Sequence, residues 1–526
     1  MVHCDWNDFS FVFSIMKTRV AIVGAGINGL IAANYLSRSG FDVQLIEKKS
    51  RVGGACVSEF AEINGTHYEY ALGASVLGLM QRFVFEQTGL SNCIKTYVPM
   101  EPKLVFFPGD EKPTKIFRNP EELDHELSRK WGERGNVSSF RFDESKIIKF
   151  LQEGYCKAEV PTIEDAIKHL GNELTDLWIK GDAKTLLDHY FTSERTKTYM
   201  AMTVSESGPV SLYEPYSAFT LPLMDSGSIF EGYYGFVKGG IWKITEELDN
   251  INQELGSKTI LSAQILSVDA NNNQLSYKKN NTDYEVDFDY LLFATDPFSA
   301  AHMMLDSDLI KTIEGQKLVG SSGKLNMIFR EPIQWKSGPD SSFRFLFSVQ
   351  NTKEFEKATL KVLDDDIDYA PGFMQVYCEG AAMRHLQSNE KYDRLAVFLK
   401  NISLKNLGDD IPKIENEIKN KILNYIENAE DCIWTKLLTP KDLKNIFYFP
   451  QGNIDHTVLT KGQSYFDRTY SNDPTTNFYQ FGSHENIYMC GASAYPCGSI
   501  AGTPGYMCSQ QLIQKNTKVL NTIKVL

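Results

Sequence analysis

The sequence predicts an α/β fold built around a strand–turn–helix–strand unit near its amino terminus. Residues 20–23 form a first apolar run, and residues 43–46 form a second. The segment between them has helical spacing and opens with a Gly-x-Gly-x-x-Gly motif made by Gly24, Gly26 and Gly29. The second run ends at an acid, Glu47. Strand, glycine turn, helix, strand and acid in this order are the fingerprint of a Rossmann-type dinucleotide-binding unit.

Each residue of this fingerprint has a physical task. Gly24 permits the tight turn, Gly26 lets a pyrophosphate approach bare backbone, and Gly29 lets the helix pack close to the strand. The helix amino terminus offers unpaired N–H groups to phosphates. Glu47 is placed to accept hydrogen bonds from a ribose. The alternative, a parallel-sheet turn that binds nothing, fits this context less well.

The residues after Glu47 indicate which dinucleotide is bound. Arg51 and the pair Gly53-Gly54 follow the acid. This string resembles FAD enzymes of the glutathione-reductase-like superfamily, in which such an Arg lies against the cofactor phosphates and the glycines pass under the flavin end. The resemblance implies FAD rather than NAD. A permanent cation near a diphosphate is physically sensible, although an ordinary surface charge remains the alternative for Arg51.

Composition narrows the function classes. The chain has 526 residues, enough for two or more domains, and a net charge of −13, which argues against nucleic acid or an anionic membrane as the main partner. Nine cysteines lack a Cys-x-x-Cys pair and nine histidines lack metal-ligand spacing, so we expect no metal site and no disulfide framework. The cysteine usage indicates an intracellular, cytoplasmic protein.

No apolar run is long enough to predict a transmembrane helix, and peripheral membrane contact is left open. The apolar residues 9–16 are preceded by acids where a signal peptide would be basic. We therefore treat residues 1–16 as a leader of unknown role, with Met16 as a candidate functional start.

The rest of the chain alternates further elements. Residues 104–117 read as a hairpin, and residues 121–189 as a charged helical insertion. Later predicted elements are a helix at 243–255 after Gly239-Gly240, strands at 260–268, 290–293, 343–349 and 373–378, and helices at 391–406 and 411–429. In the tail a strand ends at Gly491, a small-residue loop follows, and a helix begins either at Ser499 or at Thr503.

With both ends considered, the chain resembles the phytoene-desaturase-like FAD-dependent oxidoreductases. Its nearest branch is the one called pyridine nucleotide-disulphide oxidoreductase domain-containing protein 2-like. The matching blocks are residues 24–54, 234–240, 438–456 and 490–505. One departure is Tyr495-Pro496-Cys497-Gly498-Ser499, where the family often has His-Pro-Gly-Gly-Gly. Another is Cys56, which has Ala61 rather than a second thiol five positions later, so dithiol chemistry is not expected.

The resemblance implies a Rossmann-type, glutathione-reductase-like FAD-binding domain assembled from discontinuous segments, 17–90, 226–300 and 451–526. An α+β substrate or cap domain, 91–225 and 301–450, is interleaved with it. The implied FAD contacts are Gly24, Gly26, Gly29, Glu47, Arg51, Gly53, Gly54, Gly491 and Ile500, together with Ile265 from its place in a strand that meets the adenine.

In such enzymes the flavin carries the chemistry, so no protein nucleophile is required. The candidate proton-handling residues are His456, Tyr495 and Lys238. His456 suits acid–base work near neutral pH, but a structural role is at least as fitting. Tyr495 has wall packing as its alternative, and Lys238 a surface charge. Cys497 is placed to touch the flavin, yet a small packing residue is the better interpretation.

Three functions follow. The favoured one is a hydride-moving FAD enzyme that acts on an apolar, polyene or lipid-like substrate as a desaturase, reductase or isomerase. The second is an amine-oxidase-like flavoenzyme that uses oxygen, which an aromatic pair facing the flavin and an acidic cavity would favour. The third is a non-catalytic flavoprotein or binding protein on the same scaffold, which a cavity too narrow for substrate would favour.

Overall fold

The computed structural model describes residues 17–338, 341–363, 372–402 and 410–525. The leader and the candidate start at Met16 lie outside these residues. The strands are β1 Arg19–Val23, β2 Asp42–Ile46, β3 Ser58–Ile63, β4 Thr66–Ala71, β5 Thr96–Tyr97, β6 Lys103–Phe106, β7 Thr114–Ile116, β8 Phe236–Val237, β9 Lys258–Ile260, β10 Gln264–Asp269, β11 Gln274–Lys279, β12 Thr282–Asp287, β13 Tyr290–Phe293, β14 Gly323–Phe329, β15 Phe343–Phe347, β16 Phe373–Tyr377, β17 Asp393–Lys400, β18 Cys432–Leu438, β19 Tyr470–Ser471, β20 Gln480–Gly482 and β21 His484–Met489.

The helices are α1 Ile27–Arg38, α2 Arg82–Gln87, α3 Pro120–Trp131, α4 Val137–Lys157, α5 Ile163–Leu174, α6 Ala183–Tyr190, α7 Glu194–Ala201, α8 Thr220–Met224, α9 Trp242–Glu254, α10 Pro297–Met304, α11 Ser307–Glu314, α12 Thr352–Leu360, α13 Glu379–His385, α14 Ile411–Leu423, α15 Pro440–Phe447 and α16 Thr503–Val525. A π-helical turn, Thr175–Lys180, follows α5.

A seven-stranded sheet carries the fingerprint. Its order is β19-β20-β21-β13-β1-β2-β9, and the five strands from β21 to β9 are parallel. Helices α9 and α16 pack on α1 beside this sheet. Residues 20–23 are buried because helices cover a parallel sheet on both faces. The strands come from three separated stretches of chain, and the exact domain limits stay a prediction.

A second seven-stranded sheet has the order β18-β14-β17-β16-β15-β6-β7 and is antiparallel except where β6 joins β15. One face buries apolar residues against α14. Helices α3 to α6 form the helical region that the sequence predicts for residues 121–189, and α7 and α8 follow it. The predicted hairpin is confirmed as β6 and β7.

Two sequence predictions of secondary structure were wrong. The helix predicted at 391–406 is strand β17, flanked by β14 and β16, and residues 403–409 of it lie outside the described part. Nearly every residue of β17 is buried, including polar ones that in the sequence alone look like the exposed side of a helix. The strand predicted at 260–268 is two strands, β9 and β10, which join different sheets and are separated by Ser262 at φ +55°.

Candidate functional site

A single cavity of about 440 Å³ joins the fingerprint to the second sheet. Eight of the residues predicted from the sequence line it: Gly24, Gly26, Glu47, Gly53, Gly54, Ile265, His456 and Ile500. The opposite wall comes from β15, β16, β17 and the inserted helices. The chain therefore brings most of the predicted dinucleotide contacts to one end of a cavity whose other end is built by separate elements.

The fingerprint turn has the predicted backbone geometry. Gly24 has φ +101°, which favours glycine, and its N–H donates to the carbonyl of Ile46 at 2.9 Å. A Cβ added to Gly29 would lie 2.1 Å from the carbonyl oxygen of Gly24, so α1 approaches β1 as closely as the sequence predicts. Gly26 caps α1, and a Cβ added there would meet only Gly54 Cα at 3.9 Å.

The glycine pair lies directly beside this turn. The N–H of Gly53 donates to the carbonyl of Ala25 at 2.8 Å, and Gly53 and Gly54 have φ +124° and +61°. A Cβ on Gly54 would come within 3.2 Å of Gly26 Cα. Two stretches of bare backbone thus face the cavity together, and the paired glycines are required for their close approach.

Glu47 fixes the same turn from the end of β2. One carboxylate oxygen accepts a hydrogen bond from the Ala25 N–H at 2.8 Å, and the other accepts one from the Lys49 N–H at 2.9 Å. The side chain also lines the cavity. Because a carboxylate oxygen can accept more than one hydrogen bond, Glu47 keeps capacity for a ribose hydroxyl.

Arg51 and Gly491 lie outside the cavity wall. The Arg51 guanidinium is half exposed, 3.9 Å from the carboxylate of Glu59, and lines a second pocket that shares Lys48 and Lys49 with the cavity. Gly491 packs behind the wall, where an added Cβ would lie 2.3 Å from the carbonyl oxygen of Thr295. Direct contacts of FAD with Gly29, Arg51 and Gly491 stay a prediction, because none of these residues lines the cavity.

His456 is half-buried in the wall, with its backbone at φ +66°. Burial, with a smaller contribution from the charge of Arg468, lowers its pKa to about 3. The imidazole is therefore neutral at ordinary pH, which argues against acid–base work near neutrality and leaves it as a hydrogen-bonding group.

Tyr495 and Lys238 do not line the cavity. The Tyr495 ring is fully buried, with its centroid 6.0 Å from that of Tyr155, and its carbonyl accepts from the Tyr479 hydroxyl at 2.9 Å. Lys238 is half-buried on the loop before α9. Cys497 is also buried, and burial raises the pKa of its thiol. The packing interpretations of Tyr495 and Cys497 are the ones that the structure supports.

Lys324 is a cavity residue that the sequence did not reveal. It lies on β14, is buried, and donates from Nζ to the carbonyl of Ala71 at 2.6 Å. It faces the end of the cavity near Cys56. Burial lowers the pKa of Lys324 to about 7, against an opposing effect of Glu379. In the sequence, the only indication of this residue was that a lysine stands inside the apolar run 323–329.

This pKa predicts a pH effect on stability. The usual lysine pKa is 10.5, so between about pH 7 and 10.5 the unfolded chain binds this proton and the folded chain does not. Stability therefore rises with pH across that window. We expect wild type to gain up to about 1.4 kcal/mol per pH unit over Lys324→Met between pH 7 and 9. Urea unfolding at each pH measures this, and parallel pH profiles would contradict it.

The far wall is largely apolar. Met202, Met224, Phe343, Phe345 and Phe398 line it. The charged lining residues there are Lys103, Glu206 and Asp225. The Glu206 carboxylate is paired, with Lys400 Nζ at 2.7 Å and the Gln375 side-chain amide donating at 2.7 Å.

Unsatisfied polar atoms on the wall test whether a cofactor fits. Asn28 Oδ1, Ser75 Oγ and His456 Nδ1 are buried cavity-lining atoms with no hydrogen-bond partner in the described part of the chain. Buried polar atoms normally have partners. Together with the bare glycine backbone and the uncapped start of α1, they fit a ligand rich in phosphate, hydroxyl and amide groups.

Comparisons with known proteins agree with this site. The family described as NAD(P)-binding Rossmann-like domain matches residues 22–82. The 4,4'-diapophytoene desaturase of Staphylococcus haemolyticus is 23% identical over 94% of this chain and 97% of its own. A rat protein, pyridine nucleotide-disulfide oxidoreductase domain-containing protein 2, is 20% identical over 92% and 91%. Over nearly its whole length the chain is therefore similar to proteins of the phytoene-desaturase-like type.

Solved structures share the whole fold. Putrescine oxidase superposes with a TM-score of 0.59 at 14% identity, covering 96% of this chain and 99% of that one. Cyclohexylamine oxidase from Brevibacterium oxydans superposes with a TM-score of 0.61 at 13% identity, covering 96% and 100%. The predicted resemblance and Rossmann-type fold class are confirmed, and these findings agree with the predictions of an oxidoreductase and of FAD.

Proposed function

We propose that this protein is an FAD-dependent oxidoreductase that moves a hydride between the flavin and an apolar, polyene or lipid-like substrate, as a desaturase, reductase or isomerase. One observation carries the proposal. A single cavity has the dinucleotide fingerprint at one end and a wall of methionine and aromatic side chains at the other. The names of the relatives, a diapophytoene desaturase and a diaponeurosporene oxygenase, fit such a substrate.

The residues that would hold FAD follow from the lining. The turn Gly24–Gly26, the start of α1 and the pair Gly53-Gly54 would receive the pyrophosphate, and Glu47 the ribose. Ile265 would meet the adenine. The tail loop at Gly498–Ile500 lies on the same cavity, ahead of α16. When bound, FAD supplies the hydride acceptor or donor.

The side chains of the protein contribute binding and proton handling. The apolar far wall excludes water and orients an apolar substrate. Lys324 Nζ holds a proton below about pH 7 and releases it above, so this amine is better matched to proton transfer than His456. Tyr495 and Lys238 do not line the cavity, which leaves their catalytic roles without support.

The amine-oxidase-like alternative is less well supported. It needs a carboxylate free to receive an ammonium group, and the two far-wall carboxylates already face cations. Glu206 is bonded to Lys400, and Asp225 lies 3.6 Å from Arg141. The similarity to amine oxidases at 13–14% identity concerns the fold. A non-catalytic role would require a narrow site, and it is distinguished from catalysis by whether any substrate changes the redox state of the flavin.

For partners, we propose a small apolar substrate and no nucleic acid. None of the helices in the described part of the chain has the length and apolar character needed to cross a bilayer. An intracellular, cytoplasmic location and peripheral membrane contact both remain proposals.

The first test is the cofactor. We expect the purified protein to show flavin absorption bands and to release FAD on denaturation, identified by chromatography. Under anaerobic conditions, a polyene substrate should bleach or restore these bands with a matching change in its double-bond count. A colourless protein that does not take up added FAD would overturn the proposal, and a flavin that no polyene or amine affects would favour the non-catalytic alternative.

A further inference from the structure

Lys103 lines the cavity and forms no salt bridge within the described part of the chain. It is the first residue of β6 and lines the far end of the cavity, with Nζ 5.9 Å from the ring centroid of Phe345. Across the described residues, no carboxylate oxygen lies within 4 Å of its ammonium group and no acceptor forms a hydrogen bond with it. Burial lowers the pKa of Lys103 and the charge of Asp225 only partly opposes this, so a further counter-charge would stabilise its ammonium form.

The surrounding charges leave a positive excess at this end. Glu206 on this wall is balanced by Lys400. The other charges are Arg118, Arg141 and Asp225, which act on Lys103, and Glu144, which acts on Arg141 and Asp225. Arg141 contacts both carboxylates, at 2.5 Å to Glu144 and 3.6 Å to Asp225. Three cations against two carboxylates leave one positive charge unmatched. Burial also raises the pKa of Glu144 to about 7, so this carboxyl group is only partly ionised at neutral pH and offsets less of the positive charge.

The walls beside this cation are apolar. Phe343, Phe345, Met202 and Met224 line the same end of the cavity. A ligand that satisfies both features has an apolar body and one anionic group. We propose that the substrate is an amphipathic carboxylic acid whose carboxylate is bound by Lys103. This inference rests on the proposed function and narrows its substrate class.

Lys324 does not compete with Lys103 for the carboxylate of the ligand. It lies on β14 near Cys56, at the fingerprint end of the cavity, and already donates to the Ala71 carbonyl. Its pKa of about 7 leaves it half charged at neutrality. One unmatched charge at Lys103 also fits a single carboxylate better than a diphosphate, which carries several charges.

The test compares two ligands that differ in one charge. Linoleic acid and its methyl ester, both below their micellar concentrations, are titrated into the purified full-length protein by calorimetry. We expect the acid to bind at least about tenfold tighter than the ester, because a charge-assisted hydrogen bond is made only by the acid. Lys103→Met should lose that preference by weakening the acid alone, and Lys103→Arg should keep it.

Lys243→Met, which removes an exposed lysine paired with Glu246, is the matched control and should bind like wild type. Equal affinity for acid and ester in wild type would overturn the inference even if Lys103→Met did not fold. So would a preference that persists in Lys103→Met, or tighter binding of geranylgeranyl diphosphate than of the acid. Calorimetry does not depend on the flavin, so an acid preference in a protein without FAD would reject the proposed function and leave only carboxylate binding at Lys103, without a substrate role.

Discussion

Gly26→Ala is expected to fold with wild-type stability and to lose FAD. Gly26 has φ −77° and ψ 178°, which alanine accepts. Its added Cβ would meet only Gly54 Cα at 3.9 Å, an ordinary contact. The same Cβ occupies space beside the bare backbone where a pyrophosphate must approach. We expect FAD affinity to fall about a hundredfold, equivalent to about 2.7 kcal/mol, with the unfolding free energy unchanged within about 0.5 kcal/mol.

Gly29→Ala separates the effect on FAD affinity from the effect on folding stability. Its Cβ would lie 2.1 Å from the Gly24 carbonyl oxygen and 3.0 Å from Ala294 Cβ, so α1 must move away from the sheet. This variant should lose both stability and FAD. Thermal melting of the apo-proteins, together with FAD titration followed by flavin fluorescence, distinguishes the variants. A Gly26→Ala protein that keeps wild-type FAD affinity would show that the cofactor does not approach this backbone.

The sequence was most informative where local chemistry decides the structure. The turn at Gly24 and the approach of Gly29 to β1 need residues without side chains, so the motif specifies them directly. The sequence allowed two starts for the last helix, Ser499 and Thr503, and α16 begins at Thr503 with proline next. The helix prediction at β17 was wrong because the burial of its polar positions depends on pairing with β14 and β16, which are distant in sequence.

The candidate site was harder to predict than the fold. Arg51 fits the FAD motif in sequence, yet a local pattern does not determine whether a long side chain faces a cavity or the surface. Lys103 and Lys324 belong to the second sheet and reach the cavity through tertiary packing alone. A lysine within a strand pattern usually indicates an exposed face, so the sequence alone does not mark either residue as part of a cavity.

The second large effect is expected at Arg468, which joins two segments of the cavity wall. Its buried guanidinium donates to Thr457 Oγ1 and to the carbonyl oxygens of Gln463, Asp455 and Ala492, all at 2.9–3.0 Å. Its charge also opposes the effect of burial, which raises the pKa of Asp455. Arg468→Gln removes the charge and most of these donors, which leaves several buried carbonyls unpaired and takes away the cation that favours the charged form of Asp455.

We expect Arg468→Gln to lose about 3–5 kcal/mol of unfolding free energy, the cost of breaking a buried ionic group. FAD retention should fall with it, because His456 and Ala492 line the cavity on the two segments that Arg468 joins. Arg82→Gln is the matched control, since Arg82 is more than half exposed and its ion pair with Glu231 spans 3.5 Å; it should change stability by less than about 1 kcal/mol. Urea unfolding and FAD content measure both. Equal stability of the two variants would mean that water replaces the guanidinium, and the wall would then be held by packing rather than by this network.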